Sequence, residues 1–192
     1  MASEAQPPEH PLTPAEEAES VANRAANLLS MLEPGRQPGR LFRQLARLMV
    51  INTVELVPIR QTRKGLLEVL LLQRAENDPF WPGQWHIPGA VALPTDPVTH
   101  GHDYGAPIAR VMEEIGGSIR ILDGPNQLET QRRVGARGHE VTVIHWGEVD
   151  GEPANGTFHN VLDVMLRLPE GNIVDGHANI VDRVARVYEN RR

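Results

Sequence analysis

The sequence predicts an α+β fold, a mixed sheet sandwiched between helices, with a two-helix extension before it. Three observations predict this. Apolar residues recur at helical spacing near both ends of the chain. The middle holds aliphatic runs of strand length. Pro- and Gly-rich turns separate those runs.

Residues 1–12 are rich in Pro, Glu and Ala, and are expected to form a disordered tail. The helical extension is expected over 13–49. Thr13 is suited to an N-cap, Pro14 to the first helical position, and Glu16 completes a capping box. Ala18, Val21, Ala22, Ala25, Leu28, Leu29 and Leu32 then make one apolar stripe. Two Pro-Gly steps in "PGRQPGR" end that helix. A second follows with Leu41, Phe42, Leu45, Leu48 and Met49 on one side.

The main domain is expected over 50–192. "VINTVELVPI" and "LLEVLLLQR" read as two strands of a hairpin joined by "RQTRKG". "FWPGQWHIPGAVALP" reads as a strand framed by turns, and "TDPVTHGHDYGAP" as a polar loop. "ARVMEEIGG" is a helix stopped by two glycines. "SIRIL", "LETQRRV" and "HEVTVIHWGEV" are three further candidate strands, the last two separated by the turn "GARG". Along the last of these, Glu140, Thr142, Ile144, Trp146 and Glu148 share one face, with Val141, Val143 and His145 on the other. "TFHNVLDVMLRLP" reads as a short helix. "HANIVDRVARVYEN" is a final one, with Ile180, Val181, Val184 and Tyr188 turned inward.

Composition narrows the function. The net charge of −6 over 192 residues gives no electrostatic footprint for nucleic acid. The absence of cysteine excludes disulfides and thiolate chemistry and fits a reducing compartment. No apolar run is long enough to span a bilayer, and "MASEAQPPEH" lacks the apolar core of a leader. A cytoplasmic location is the expectation. The apolar stripe of the first helix would let two copies pair as a homodimer. No Walker-type phosphate loop and no G-x-S-x-G elbow is present.

The residues that carry chemistry lie around the helix of "ARVMEEIGG". Glu113 and Glu114 are neighbours, about 100° apart around a helix. Two carboxylates suffice for a hard cation such as Mg²⁺ when a substrate phosphate completes its shell. Arg110 stands three and four residues before them, on their side of the helix.

"LLLQRAENDPFWPGQWHIPG", the loop after it and "A-x-x-A-R-x-x-E-E-x-G" together resemble the Nudix superfamily, over roughly residues 50 to 190. Its box reads G-x5-E-x7-R-E-U-x-E-E-x-G-U, with U a bulky aliphatic. The resemblance implies a Nudix-type α/β/α sandwich and a metal-dependent hydrolase of a nucleoside diphosphate linked to another moiety. It implies Mg²⁺ or Mn²⁺ held by Glu113 and Glu114, which become the catalytic residues. Arg74, Arg110 and Trp85 are the candidate substrate-binding residues, with Trp81 and Phe158 as further aromatic walls.

The box is degenerate. Gly89 fits its first glycine, but Ala90 replaces the next residue of the usual Pro-Gly-Gly. From Gly89 to Ala109 there are 20 steps where the box has 14, an insertion of six. The upstream Glu has no counterpart, and Ala109-Arg110 replaces the Arg-Glu pair. A guanidinium is no base, and it lowers the local charge from about −3 to about −1, weakening attraction for a cation. His100, His102 and Asp103 in the insertion, and Glu140, Glu148 and Glu152 after the sheet, are the residues able to restore a ligand. The alternative is a catalytically impaired Nudix-fold module that binds a nucleotide or a protein partner.

Overall fold

The computed structural model describes residues 13–33, 37–97, 104–166 and 172–191. The expected N-terminal tail and the cluster His100, His102 and Asp103 lie outside the described residues. The chain divides into two compact units, Met1–Gly35 and Arg36–Arg192.

The first unit contains helix α1 (Pro14–Leu29). The capping box is formed as the sequence predicts. Thr13 Oγ1 accepts from the Glu16 amide, and the Glu16 carboxylate accepts from the Thr13 amide at 2.7 Å. None of its residues is buried, so its apolar stripe faces solvent.

The second unit begins with α2 (Gly39–Leu48), which packs on the sheet through strand β6 (Gly138–Asp150) and buries Ala46. The helix therefore belongs with the sheet domain, although the sequence groups it with α1. Leu48 and Met49, expected on its apolar side, are exposed.

The strands are β1 (Ile51–Gln61), β2 (Leu67–Gln73), β3 (Trp85–His86), β4 (Gly89–Val91), β5 (Arg120–Gly135), β6 (Gly138–Asp150) and β7 (Thr157–Asn160). The helices after α2 are α3 (Gly105–Ile115), α4 (Val161–Met165) and α5 (His177–Asn190). The sheet order is β3-β2-β1-β6-β5, with β7 on β2. β1 is central and is buried without a break from Thr53 to Ile59 because both of its faces are covered. It runs parallel to β6 from Ile51 opposite Glu140 to Ile59 opposite Glu148. Its other edge is shared: β2 pairs with Ile59–Gln61 and β4 with Thr53–Glu55. The sheet therefore splits beside β1. Gly89 sits at that split, opposite Glu55. A Cβ there would lie 2.9 Å from the Val54 carbonyl, so only glycine allows the two strands to close.

Each face of the sheet carries one apolar layer. Val57, Ile59, Val69, Leu71, Ile144 and Trp146 meet Ile180, Val181, Val184 and Tyr188 of α5. Val54, Leu56, Leu70 and Leu72 meet Ile108, Val111 and Ile115 of α3. Full burial of each such side chain contributes roughly 2 kcal/mol.

Three sequence expectations need correction. "SIRIL" and "LETQRRV" belong to one long strand, β5, whose bulges interrupt the alternation that a reader of sequence follows. "WHIPGAV" forms two short strands rather than one, because Pro88 cannot donate to a ladder. "TFHN" is strand β7, recruited by pairing with β2, and only Val161–Met165 is helical.

Candidate functional site

Helix α3 presents its chemistry through its own periodicity. Ile108, Val111 and Ile115 lie at i, i+3 and i+7 and are buried against the sheet. Glu113 and Glu114 therefore fall on the outer side of the last turn, where both are exposed. Asn155 holds that turn, its amide N–H donating to the Ile115 carbonyl at 2.9 Å. Two carboxylates at the negative end of a helix repel each other and the helix dipole. Such a placement is stabilised by nearby positive charge.

Arg110 does not supply it. Its guanidinium makes a two-pronged ion pair with Asp96, with one arm at 3.0 Å, and donates to the Val91 carbonyl at 2.9 Å. Asp96 also accepts from the Leu93 amide at 2.7 Å. The hydrogen bond from Arg110 holds the Asp96 carboxyl below its ordinary range. Arg110 thus fastens the segment leaving β4 to α3, with its planar fork engaged by a carboxylate.

The other candidate acids are also placed. Glu140 is 1 % exposed and pairs with Arg133 and Arg137 at 3.3 and 2.8 Å. Glu152 is exposed and pairs with Arg60 at 3.1 Å. Glu148 is half-buried on β6, across from Asp123. Among the described residues no group of three or more His, Asp or Glu side chains converges as a cation site. The described donors, two exposed carboxylates on one helix turn, do not fit the three-acid cation site that the box implies.

A second polar constellation occupies the split beside β1. Glu55 is 5 % exposed and pairs with Arg133, and His177 Nε2 stands 3.4 Å from its carboxylate. The Ile87 amide donates to His177 Nδ1 at 2.9 Å. That bond turns Nε2, with its proton, toward Glu55. Burial pushes the Glu55 carboxyl up, but His177 and Arg133 outweigh it and hold it down to about 2. His86 Nδ1 donates to the Ile87 carbonyl at 2.8 Å. Burial and the Arg74 charge push His86 down to about 3, so it is neutral.

Arg74, just past β2, opens this constellation to solvent. Its guanidinium lies 5.4 Å from the centre of the Trp81 ring, and Arg137 lies 5.2 Å from the same ring. Arg74 pairs with Asp78 at 3.3 Å, and its Nε is buried without a partner. Burial holds the Arg74 guanidinium below its ordinary value, with Arg137 adding to the effect and Asp78 and Glu114 opposing it. The Glu114 charge therefore reaches Arg74, which links the end of α3 to this cluster. An oxyanion here would relieve the repulsion between two guanidiniums.

The fold as a whole has counterparts in solved structures. The Nudix domain of Shewanella oneidensis NrtR complexed with ADP ribose superposes with a TM-score of 0.53 at 21 % identity, covering 90 % of this chain and 98 % of that one. This chain has the Nudix fold. The C. elegans Ap4A hydrolase gives a TM-score of 0.51 at 18 % identity, covering 75 % of this chain and all of the other. The MutT protein of Methanosarcina mazei gives 0.51 at 17 %, covering 74 % and 96 %. No protein-family model and no curated protein matches the chain.

On this Nudix fold the sequence candidates separate. Glu114 and Arg74 come into electrostatic reach of each other. Arg110 is committed to Asp96. Trp85 lies edge-on to His159 with ring centres 4.5 Å apart and packs on the α5 layer. Phe158 is covered by Arg60, whose guanidinium stands 3.5 Å from its ring centre. Sequence reasoning missed Glu55, Arg133, Arg137 and His177. Two of them had a visible signal, since Arg132, Arg133 and Arg137 crowd around one turn of an otherwise acidic chain.

Among the described residues no helix is long and apolar enough to cross a membrane.

Proposed function

We propose that this chain is a Nudix-fold module that binds a ligand carrying a diphosphate joined to another group, with cleavage of that ligand impaired. The observation that carries this reading is Arg110, which stands where the box has an acid and is bound to Asp96. The helix keeps two of its carboxylates and loses the third, while Arg74 and Arg137 offer positive charge beside an aromatic ring. The ADP ribose held by the NrtR Nudix domain supports the ligand class by fold alone. Calorimetry with ADP-ribose tests it. The expected result is binding without release of a monophosphate, weakened about tenfold by Arg74→Ala. No binding across ADP-ribose, dinucleotides and nucleoside triphosphates overturns the proposal.

One observation favours the hydrolase reading. Glu113 and Glu114 sit at the negative end of α3, a placement that a bound cation would stabilise. On that reading, Mg²⁺ or Mn²⁺ on these carboxylates neutralises charge on the phosphoryl oxygens. Release of a monophosphate in Mn²⁺, abolished in Glu114→Gln, would establish it. Absence of turnover in either metal leaves the binding module.

A further inference from the structure

Between Glu33 and Glu55 the chain carries four arginines, Arg36, Arg40, Arg43 and Arg47, and no acid, although its net charge is −6. Half of this stretch is α2. The helix turns Phe42, Leu45 and the buried Ala46 toward the sheet. Its outer side then carries Arg40, Arg43 and Gln44, all exposed. Residues three apart lie on one side of a helix, so the two guanidiniums add their charge. Neither has an ion pair among the described residues. By contrast Arg60, Arg110, Arg133 and Arg186 are each paired with a carboxylate.

The same side ends in an apolar corner. Leu48, Met49 and Val50 are 75, 59 and 50 % exposed. Three successive exposed apolar residues run against the pattern of a solvated helix end. Fraying does not explain them, because the chain is fixed on both sides. The Met49 amide donates to the Leu45 carbonyl at 3.0 Å, and Ile51 is buried where β1 opens opposite Glu140. Exposure this high means that the corner protrudes, and an apolar phase would remove that surface from water.

Unpaired cations beside protruding apolar residues complement a surface that is anionic outside and apolar beneath. A nucleic acid answers the arginines alone, and a protein partner needs a hollow shaped to the corner. A fluid bilayer needs no hollow. Guanidiniums meet it at the depth of the lipid phosphates, and the corner enters the boundary of the acyl chains. We propose that the outer side of α2 and the corner at 48–50 dock the chain on an anionic lipid bilayer. Charge and shallow insertion are each weak signals, so the attachment is reversible.

The experiment is flotation of the full chain with vesicles of phosphatidylcholine, alone or mixed with phosphatidylserine. The chain is expected to float with the mixed vesicles, to stay behind with the neutral ones, and to be released by high salt. Arg40→Glu with Arg43→Glu should weaken binding to the mixed vesicles at least about tenfold. Leu48→Ser with Met49→Ser should weaken it about tenfold at unchanged charge. All four positions are exposed, and matching melting curves would confirm intact folds. Insertion has its own readout, which stands even if a double variant misfolds. The chain has no cysteine, so Met49→Cys takes a single environment-sensitive dye. Its emission should shift to the blue on mixed vesicles and not on neutral ones. No binding to the mixed vesicles, equal binding to both kinds, or binding untouched by either double variant overturns the proposal. Binding to heparin without a blue shift on vesicles assigns the arginines to a soluble polyanion and overturns it too.

Discussion

Arg133→Gln removes the cation on which two buried carboxylates depend, and its cost follows from the structure. Glu55 and Glu140 are 5 % and 1 % exposed, and Arg133 bridges them. Glu140 keeps Arg137 at 2.8 Å in the variant. Glu55 keeps only His177, at 3.4 Å. Its carboxyl is held at about 2 against an ordinary 4.5. His177 and Arg133 share that depression, so only part of it is lost with the guanidinium. Breaking a buried ion pair from one side costs roughly 3–5 kcal/mol by general experience. A loss of about 3 kcal/mol, the lower end of that range, is therefore expected at pH 7.

The pH dependence separates this cause from a packing defect. A carboxyl whose folded value is depressed contributes stability that is fully present above its unfolded value and is lost as pH falls through its folded value. The window here runs from 4.5 down to about 2. Urea denaturation of both proteins should therefore show the full deficit at pH 7 and less than half of it by pH 3. A deficit below about 1 kcal/mol at pH 7, or one that is the same at both pH values, would refute the assignment of Arg133 as the compensating charge.

The remaining predictions concern other positions. His86, pushed down to about 3, contributes stability fully present above 6.5 and lost as pH falls from there toward 3, by up to about 1.4 kcal/mol per unit. His86→Gln should flatten urea-derived stability across that range. Gly117 has φ +77°, and a Cβ would lie 2.6 Å from the Ala154 amide nitrogen. Gly117→Ala should therefore cost about 2–4 kcal/mol and lower the melting temperature by roughly 10 °C. Arg110→Glu with Asp96→Asn restores a third acid to α3 without setting it against a like charge. It should raise Mn²⁺ affinity about tenfold by calorimetry, whereas Arg110→Glu alone should lose stability first.

The elements legible in the sequence are those whose signal is local. The capping box at Thr13 and Glu16, the hairpin of β1 and β2, and the inward residues of α5 follow from spacing alone. The missed features depend on distant partners. β5 crosses its own bulges because β6 templates it, and β7 exists because β2 offers an edge. The same division holds for the site. Glu113 and Glu114 are visible as adjacent acids before a glycine pair. Glu55 looks like a polar interruption in an aliphatic strand, and its role appears only when Arg133, some eighty residues away, folds beside it. A reading that treats Glu140 as a surface acid fails for the same reason.

The two departures from the box, the lengthened loop and Arg110, prove to be physically one. Asp96 lies in the segment that carries the insertion, and it engages both arms of the Arg110 fork while Val91 takes a third hydrogen bond. A longer loop has more conformational freedom to lose on folding, and a charged fork tied to both its start and the helix offsets part of that loss. The acid of the box cannot occupy position 110 while Asp96 stands opposite, because two carboxylates would then face each other. The loop anchor and the third acid are therefore alternatives at one position, and this chain holds the anchor. On the proposed binding reading, positive charge for a diphosphate comes instead from Arg74 at the end of β2 and Arg137 at the tip of the β5–β6 hairpin, both beside Trp81.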